Sequence, residues 1–181
     1  MAGSLVQVDT YTVPSAAASI IIGGGSSSSS GIDFAINTDD VYMLVLTNVT
    51  PSTDGADLQM RFTESGTANT TANYDMAYNF LPSNTSISNS NVTNATGADL
   101  SGSIGSASGE SLSQIQYIYN ANNSSEYTFY TIESTYWNNG NYVHGIQGGG
   151  VFTVTSAVDG VQYYMDSGNI SAGTFTLYKV I

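Results

Sequence analysis

The 181-residue sequence has no cysteine and very few basic side chains. Without cysteine the chain forms no disulfide, carries no reactive thiolate and offers no thiolate ligand for zinc. Arg61 and Lys179 are the only basic residues against fourteen acidic ones, and the formal net charge at pH 7 is −12. Because contacts with phosphate groups require clustered lysine and arginine, the composition predicts no binding to nucleic acid or to an anionic membrane.

Long apolar segments and helix patterns are also missing. The longest apolar run lies around residues 20–22 and is much too short to cross a bilayer. The N-terminal segment lacks a basic region and a long apolar run, which predicts that no signal peptide is present. Together with the lack of cysteine, this favours a protein made in a reducing cytosol. No segment carries apolar residues at helical spacing over three turns, so we expect little or no helix.

Alternating apolar and polar residues are abundant instead, and this period of two is typical of half-buried strands. Residues 56–63 place Leu58, Met60 and Phe62 on one face, and residues 111–120 align Ile115, Tyr117 and Tyr119 in the same way. We therefore predict that these side chains are buried. The segments with a strand pattern lie at residues 5–13, 41–49, 56–63, 74–80, 111–120, 127–137, 150–154, 161–166 and 174–180.

Turn dipeptides separate several of these segments. Asn139-Gly140 lies between two aromatic runs, and Asp54-Gly55 and Asp159-Gly160 likewise separate segments with a strand pattern. Such dipeptides accept the positive φ angles of tight hairpins. About ten strands with turns of this kind predict an all-β fold with little or no helix. We expect an antiparallel β-sandwich, jelly-roll-like in form.

Two polar stretches interrupt the strand pattern. The Gly/Ser segment 23–31 resembles a flexible linker, but the residues before it are too few for a domain. We therefore predict a single domain overall, with an N-terminal strand or arm and Gly/Ser loop at 1–31 and the β-sandwich at 32–181. Residues 82–110 are too many for an empty loop, which predicts a lid, an Ω-like excursion or short edge strands.

The segment 135–145 is the strongest candidate for a partner or glycan surface, because it combines aromatic rings with amide donors. The alternative is an ordinary hairpin whose aromatic side chains fold back on the sheet. The candidate residues are Tyr136, Trp137, Asn138, Asn139, Tyr142 and His144.

Patterns that indicate catalysis or metal binding are weak. His144 is the only histidine and no G-x-S-x-G sequence accompanies it, which argues against a Ser–His–Asp site. Carboxylate pairs for glycoside hydrolysis can be drawn from Glu110, Glu126, Glu133, Asp33 and Asp166, as in any chain with this many acids. The acidic segments 37–40 and 54–57 are candidates for calcium, but turn formation explains them equally well. We predict no enzyme, no cofactor and no metal.

The C-terminal segment 156–181 resembles a closing hairpin pattern found in virion structural proteins of tailed bacteriophages, especially marine ones. In that pattern a D-G-I turn is followed by S-S-G-N-I and then by G-T-F-x-L-Y. Segments 39–63, 71–80 and 122–134 are similar to the same proteins, whereas the Gly/Ser segment has no counterpart. The matching residues of the hairpin are Asp159, Gly160, Ser167, Gly168, Asn169, Ile170, Gly173, Thr174, Phe175, Leu177 and Tyr178.

The resemblance implies a non-enzymatic virion protein, made in the bacterial host cytoplasm and assembled with phage capsid or other virion proteins. A capsid decoration or cement protein on the head surface is the first expectation, as a homo-oligomer with a trimer favoured. The alternative is a head or tail fibre module that binds a host receptor or glycan. A glycan-degrading enzyme is a third hypothesis. The family supplies no catalytic residues to transfer to this chain.

Overall fold

Thirteen β-strands and no helix make up residues 4–181, the range that the computed structural model of the protein describes. Residues 1–3 of the predicted N-terminal segment lie outside that range. Within residues 4–181 there is no helix that is long and apolar enough to cross a membrane. The strands are β1 (Leu5–Thr12), β2 (Ser19–Gly23), β3 (Tyr42–Pro51), β4 (Leu58–Glu64), β5 (Thr67–Ala68), β6 (Tyr74–Pro82), β7 (Ser88–Ala95), β8 (Ala98–Asp99), β9 (Leu112–Tyr119), β10 (Thr128–Asn138), β11 (Tyr142–Phe152), β12 (Gly160–Met165) and β13 (Ile170–Val180).

The strands form two antiparallel sheets with different widths. The large sheet has eight strands in the order β1-β13-β3-β9-β10-β11-β6-β7. The small sheet has the order β2-β12-β4-β5, and the two-residue strand β8 also pairs with β4. The inner faces of both sheets contribute to one hydrophobic core. The predicted antiparallel β-sandwich is therefore confirmed.

The order of the strands is that of a jelly roll. In a jelly roll with strands B to I in chain order, the two sheets run B-I-D-G and C-H-E-F. Here β1-β13-β3-β9 and β2-β12-β4-β8 have this order, with β1, β2, β3, β4, β8, β9, β12 and β13 as the eight strands. The β10–β11 hairpin and the strands β6 and β7 widen the large sheet beyond this plan. The short strand β5 is the thirteenth. The strands that lie outside the segments with a strand pattern in the sequence are β2, β5, β7 and β8.

Period-two burial produces the core as predicted for most strands. In β4, Leu58, Met60 and Phe62 are fully buried. The Phe62 ring lies 5.8 Å from the Phe152 ring and 6.3 Å from the Tyr74 ring, so aromatic side chains of both sheets interlock at this point. Aromatic pairs at such spacing add to the free energy gained by burial alone.

The predicted Asn139-Gly140 hairpin is present between β10 and β11, but its loop has three residues. Asn138 pairs with Tyr142, and the Asn141 N–H donates to the Asn138 carbonyl at 2.9 Å. The positive φ of 65° falls on Asn141 rather than on Gly140. This is the geometry of a turn followed by one left-handed residue, which asparagine tolerates.

The two Asp-Gly dipeptides do not form hairpins. Gly55 lies in the connection between β3 and β4, which belong to different sheets. Asp159 instead ties together the end of the small sheet: its Oδ1 accepts from the Thr63 hydroxyl at 2.6 Å, and its Oδ2 accepts from the Gly66 N–H at 2.8 Å. Its backbone carbonyl accepts from Gly24 N at 2.7 Å. Asp54-Gly55 does form a turn with Gly55 at a φ of 79°, but it connects strands of different sheets, and Gly160 is the first residue of β12, so neither dipeptide closes a hairpin.

The first 31 residues contribute one strand to each sheet, since β1 pairs with β13 and β2 pairs with β12. The Gly/Ser segment folds back on β2, where the Ser29 N–H donates to the Ile21 carbonyl at 2.9 Å. The Ser28 hydroxyl donates to the buried carboxylate of Asp9 at 2.8 Å. This segment is therefore hydrogen-bonded to the sandwich, in contrast to the linker that its composition resembles.

The polar stretch 82–110 resolves into the edge strands β7 and β8, one of the three predicted outcomes. After β8 the chain runs along the core, where Leu100 and Ile104 are fully buried. Apolar side chains at these two positions fix a segment that is otherwise rich in Ser and Gly.

We predict that Phe62→Ala lowers the free energy of unfolding by about 3–5 kcal/mol, because it leaves a cavity among three aromatic rings. Phe129→Ala is the matched control: Phe129 is 46% exposed on the outer side of the large sheet, and we expect a loss of about 0.5–1 kcal/mol. Guanidinium unfolding curves of the two variants measure the difference. Equal losses would contradict the assignment of Phe62 to the core.

Candidate interaction surface

The side of the large sheet that points away from the small sheet is here called the outer face. Its strands β6, β9, β10 and β11 carry six of the twelve large apolar side chains that are most exposed in the described chain. Single exposed apolar residues are ordinary, but a gathering of them on one face is typical of an interaction surface. The six residues are Leu81, Ile115, Tyr117, Phe129, Trp137 and Val143.

Strand β9 contributes two of these six residues, because its polar residues point inward. Gln114 and Gln116 are buried, whereas Ile115 is 43% and Tyr117 is 37% exposed. The prediction that the Ile115, Tyr117 and Tyr119 face is buried is therefore wrong. The Gln116 amide oxygen accepts a hydrogen bond from the Tyr163 hydroxyl at 2.9 Å and so links the two sheets.

The Gln114 amide is buried as well, but neither its nitrogen nor its oxygen has a hydrogen-bond partner within the described chain. Its neighbours Leu46 and Ser134 lie on the adjacent strands, and the Ser134 hydroxyl is equally unpartnered. Buried polar groups without partners cost stability. The inward orientation of β9 is consequently enforced by the register of the sheet rather than by the preference of each side chain.

A trough of about 470 Å³ crosses the outer face and is here called the central trough. Ser113 and Thr135, two short side chains that are paired on neighbouring strands, line this trough together with Leu81. Ile115 forms part of its wall. The short side chains leave a groove in which apolar and hydroxyl groups face solvent together.

Charge is nearly absent from this groove. Glu133 is the only charged residue among those that line the central trough, and its Oε1 accepts from the Gln147 side-chain amide at 3.2 Å. A partner that covers the groove would therefore have to remove only one carboxylate from water. Desolvation of charge is a main cost of forming an interface, so the groove is suited to contact with an uncharged surface.

A second trough of about 590 Å³ lies nearer the β7 edge. Tyr119 and Phe129 line one side, Asn91 lines the other, and Gly149 lies between them. Gly149 cannot be replaced by a larger residue, because a Cβ there would collide with the backbone carbonyl of Tyr130. Aromatic rings and amide groups of this kind are common in sugar-binding sites. Gly149 is not itself evidence for a ligand, because the close approach of the neighbouring strand already requires a glycine there.

The structure divides the six residues of the predicted 135–145 surface between the two sides of the sheet. Trp137 is 37% exposed on the outer face, opposite Val143 of the neighbouring strand. Tyr136 and Asn138 are buried on the inner side, and Asn138 donates from Nδ2 to the Gly102 carbonyl at 3.2 Å. Asn139 lies in the hairpin loop. Trp137 is thus the member that joins the outer face.

The remaining members form an aromatic cluster at the rim of the sheet. The His144 ring lies 5.3 Å from the Tyr136 ring, 5.6 Å from the Tyr142 ring and 5.2 Å from the Phe80 ring. The Tyr136 hydroxyl accepts from the Gly102 N–H at 2.9 Å and lies 2.9 Å from His144 Nδ1. Donation of the phenol proton to Nδ1 gives the hydroxyl both a donor and an acceptor partner, and this arrangement places the proton of the neutral ring on Nε2.

Both groups of this pair are held in their neutral forms. Burial lowers the pKa of His144 and raises the pKa of Tyr136 well above its ordinary range. The pair links the β10–β11 hairpin to the segment around Gly102. No serine nucleophile or carboxylate completes a catalytic triad with His144 among its hydrogen-bond partners in residues 4–181, and its geometry is that of a structural contact.

The acidic segments are used as hydrogen-bond acceptors and in one ion pair. Asp40 forms a 2.7 Å salt bridge with Lys179, which lowers the pKa of the carboxyl group. Asp57 accepts from the Ser103 N–H, and Asp54 accepts from the Ser106 N–H at 3.1 Å. Across residues 4–181 no group of three or more His, Asp or Glu side chains is placed to hold a metal ion.

Three carboxylates do lie near one another where β4, β8 and β12 meet. Burial raises the pKa of Asp57 and of Asp99, and the neighbouring charge of Asp166 raises both further. Their oxygens accept from protein donors: Asp99 from the Gln59 amide at 2.6 Å, and Asp166 from the Asp57 N–H at 2.9 Å. The arrangement binds segments together at one end of the small sheet.

The carboxylates considered for glycoside hydrolysis have local roles in several cases. Glu110 Oε2 accepts from the Ala107 N–H at 2.8 Å and so closes its own turn. Glu133 lies on the outer face beside Gln147, and Asp166 belongs to the carboxylate group described above. These contacts give each acid a structural explanation that needs no substrate.

Comparison of the chain with protein-family models, with curated proteins and with solved structures finds no match. What the chain does is therefore inferred from its own residues and geometry. The outer face, with its apolar side chains and troughs, is the feature that those residues single out.

We predict that His144 makes stability depend on pH in one window. Because burial lowers its folded pKa below the ordinary value of about 6.5, the unfolded chain binds more protons between these two values. The free energy of unfolding should rise with pH through this window and level off above about 6.5. His144→Asn keeps an acceptor for the Tyr136 hydroxyl but has no titratable ring, so it is the matched variant without this pH dependence of the free energy of unfolding.

Urea unfolding at several pH values, compared between the native chain and His144→Asn, isolates the histidine from the carboxylates that titrate nearby. A parallel pH profile for the two proteins would contradict the prediction. The signal of the single histidine in an NMR titration gives its folded pKa directly.

Proposed function

We propose that this protein is a non-enzymatic structural protein of a bacteriophage virion. Its role would be that of a capsid decoration or cement protein, which docks on the head surface through the outer face of its large sheet. The observation that carries the proposal is the gathering of exposed apolar side chains on an outer face whose two troughs are lined by only two charged residues, Glu133 and Asp75. Such a face gains free energy when another protein covers it and loses little through desolvation of charge.

The closing hairpin supports the phage assignment through its resemblance to virion proteins. Asp159, Gly168 and Phe175 illustrate why the pattern has a physical basis. Asp159 accepts hydrogen bonds from two segments, Gly168 has a φ of 73°, and Phe175 is fully buried. The residues that carry the resemblance are thus residues that the fold itself requires, so the likeness is consistent with a shared fold and leaves the site on the particle to be tested.

Composition supports the same proposal. A net charge of −12 with two basic residues favours solubility and opposes non-specific association of free copies. The surface that remains for docking is rich in hydroxyl and amide groups, which suit hydrogen-bonded and water-containing interfaces. A protein that covers a shell in many copies needs these properties more than it needs a catalytic cleft.

A fibre module that binds a receptor or glycan is the second candidate. The trough beside Tyr119, Phe129 and Asn91 favours it, because aromatic rings and amides are frequent in sugar-binding sites. The two candidates differ in copy number and in what the outer face contacts. A fibre module would be present in few copies and would bind cells, whereas a decoration protein would be present in many copies and bind the shell.

The test uses phage heads from which the protein has been removed. We predict that the purified chain rebinds at a fixed, high ratio to the major capsid protein and makes the heads more resistant to heat. Ile115→Glu should weaken rebinding at least about tenfold, because it places an unpaired charge in the covered face. Gln162→Glu, which adds the same charge on the outer side of the small sheet, should bind as the native chain does.

Equal rebinding of Ile115→Glu and Gln162→Glu would overturn the assignment of the docking face. Absence of the chain from purified virions would overturn the virion proposal. A low copy number with binding to host cells would favour the fibre module instead.

A further inference from the structure

The two long edges of the large sheet are both free within the chain. Strand β1 pairs only with β13, and β7 pairs only with β6. Among the described residues no other backbone hydrogen bond reaches either strand along its length. The small sheet differs, because the Gly/Ser segment caps the free edge of β2 through the bond from Ser29 N to the Ile21 carbonyl at 2.9 Å.

We propose that the β7 edge of one copy pairs with the β1 edge of a second copy, so that the large sheet continues from subunit to subunit. The two edges are complementary in direction. Eight strands that are antiparallel to their neighbours alternate in direction, so the first and last run oppositely. A β7 strand placed beside β1 of a copy in the same orientation is therefore antiparallel to it.

The two edges are also matched in register. An unbroken row of paired residues joins Gln7 on β1 to Asn91 on β7 through all six intervening strands. The next row joins Val6 to Val92 in the same way. Continuing these rows into a second copy places an amide beside an amide on the outer face and a valine beside a valine on the other.

The backbone groups at these positions are directed at the free edges. Ser4 exchanges both of its backbone hydrogen bonds with Ile181, at 2.7 and 2.9 Å. Alternation along an antiparallel pair then turns the N–H and C=O of Gln7 away from β13, toward the free edge. The same alternation, carried from strand to strand along the row, turns the N–H and C=O of Asn91 outward as well. Gln7 and Asn91 can therefore form a hydrogen-bonded pair between copies.

The chemistry of the edges favours such pairing. Residues 88–92 of β7 contain no charge, and the one acid of β1, Asp9, is fully buried and bound to the Gly23 N–H at 2.8 Å. Val6 is 43% exposed and would be covered by Val92. Lysine and proline, which protect many natural edge strands from pairing, are missing from both segments. The β-bulge at Val8 is the one feature of β1 between Leu5 and Asp9 that is known to protect an edge strand from pairing.

A head-to-tail contact of this kind uses two different surfaces of each copy, so it closes into a ring or continues as an open array. Pairing of β1 with β1, or of β7 with β7, would instead give a dimer with two-fold symmetry. The proposal does not depend on the virion assignment, because it concerns the isolated chain and its own copies.

The absence of cysteine makes a crosslinking test direct. In the Val6→Cys/Val92→Cys double variant the two thiols of one copy are separated by seven strand spacings, about 34 Å at roughly 4.8 Å each, so they cannot join within a copy. Under mild oxidation we expect covalent species larger than a dimer, either as one ring or as a ladder. Each single-cysteine variant should remain largely monomeric on a non-reducing gel.

Monomer alone from the folded double variant would overturn the proposal, as would dimers formed equally well by one of the single variants. Far-UV circular dichroism of each variant establishes that it is folded.

A second measurement needs no cysteine. Gln7→Pro removes an N–H that is not used within the chain, and Gln7→Thr is the matched control that keeps it. Sedimentation should show association of the native chain and of Gln7→Thr that strengthens with salt, because screening reduces the repulsion between highly charged copies. Gln7→Pro should sediment as a monomer. Identical association of Gln7→Pro and Gln7→Thr would contradict pairing at the β1 edge.

Discussion

The hydrogen-bond ladder of the eight-stranded sheet is the constraint on which the rest of this structure depends. Once the register of neighbouring strands is fixed, every side chain is assigned to the inner or the outer face, because the side-chain period of a strand is two. In β9 this places Gln114 and Gln116 in the core and Ile115 and Tyr117 in solvent. The buried amides are costly locally, but the ladder as a whole determines the outcome.

An apolar outer face follows from that assignment, and the function proposed for the chain follows from the face. The small sheet covers the inner side of the large sheet, whereas nothing in residues 4–181 covers the other side. The added β10–β11 hairpin contributes Phe129, Trp137 and Val143 to the exposed surface. The extra strands thus enlarge the area available for docking while the jelly-roll framework stays intact.

Much of the fold was predictable, because most strands combine alternation with aromatic and β-branched residues. Leu58, Met60 and Phe62 are buried as their spacing predicts, and residues 82–110 supply edge strands as one of the predicted alternatives. The orientation of β9 was not predictable from its own residues. Its polar and apolar positions alternate equally well in either orientation, and the partners of the buried Gln116 amide, the Tyr163 hydroxyl and the Met60 sulfur, come from the other sheet.

In the predicted 135–145 surface, the side of the sheet on which a residue lies can be predicted from the sequence, whereas contacts with distant segments cannot. Trp137 lies between Tyr136 and Asn138 in a strand, so period two already indicates that it faces the opposite side from both. Tyr136 and His144 pair across the β10–β11 hairpin, so the predicted turn at Asn139-Gly140 already brings them together. The hydrogen bond from the Gly102 N–H to the Tyr136 hydroxyl, in contrast, comes from a distant segment, and no local pattern indicates it. The role of Asp9 beneath Ser28 is equally a product of tertiary structure.

The central claim is that the outer face of the large sheet is exposed on the free chain and covered on the particle. Hydroxyl-radical footprinting with mass spectrometry tests this most directly, because it reports the solvent exposure of individual aromatic side chains. The account predicts that Tyr117, Phe129 and Trp137 are modified in the free chain and protected in assembled heads. Tyr164, which lies beneath Arg61 on the outer side of the small sheet, should be modified to the same extent in both states. Equal modification of Tyr117, Phe129 and Trp137 in the two states, or protection of Tyr164 alone, would contradict the account.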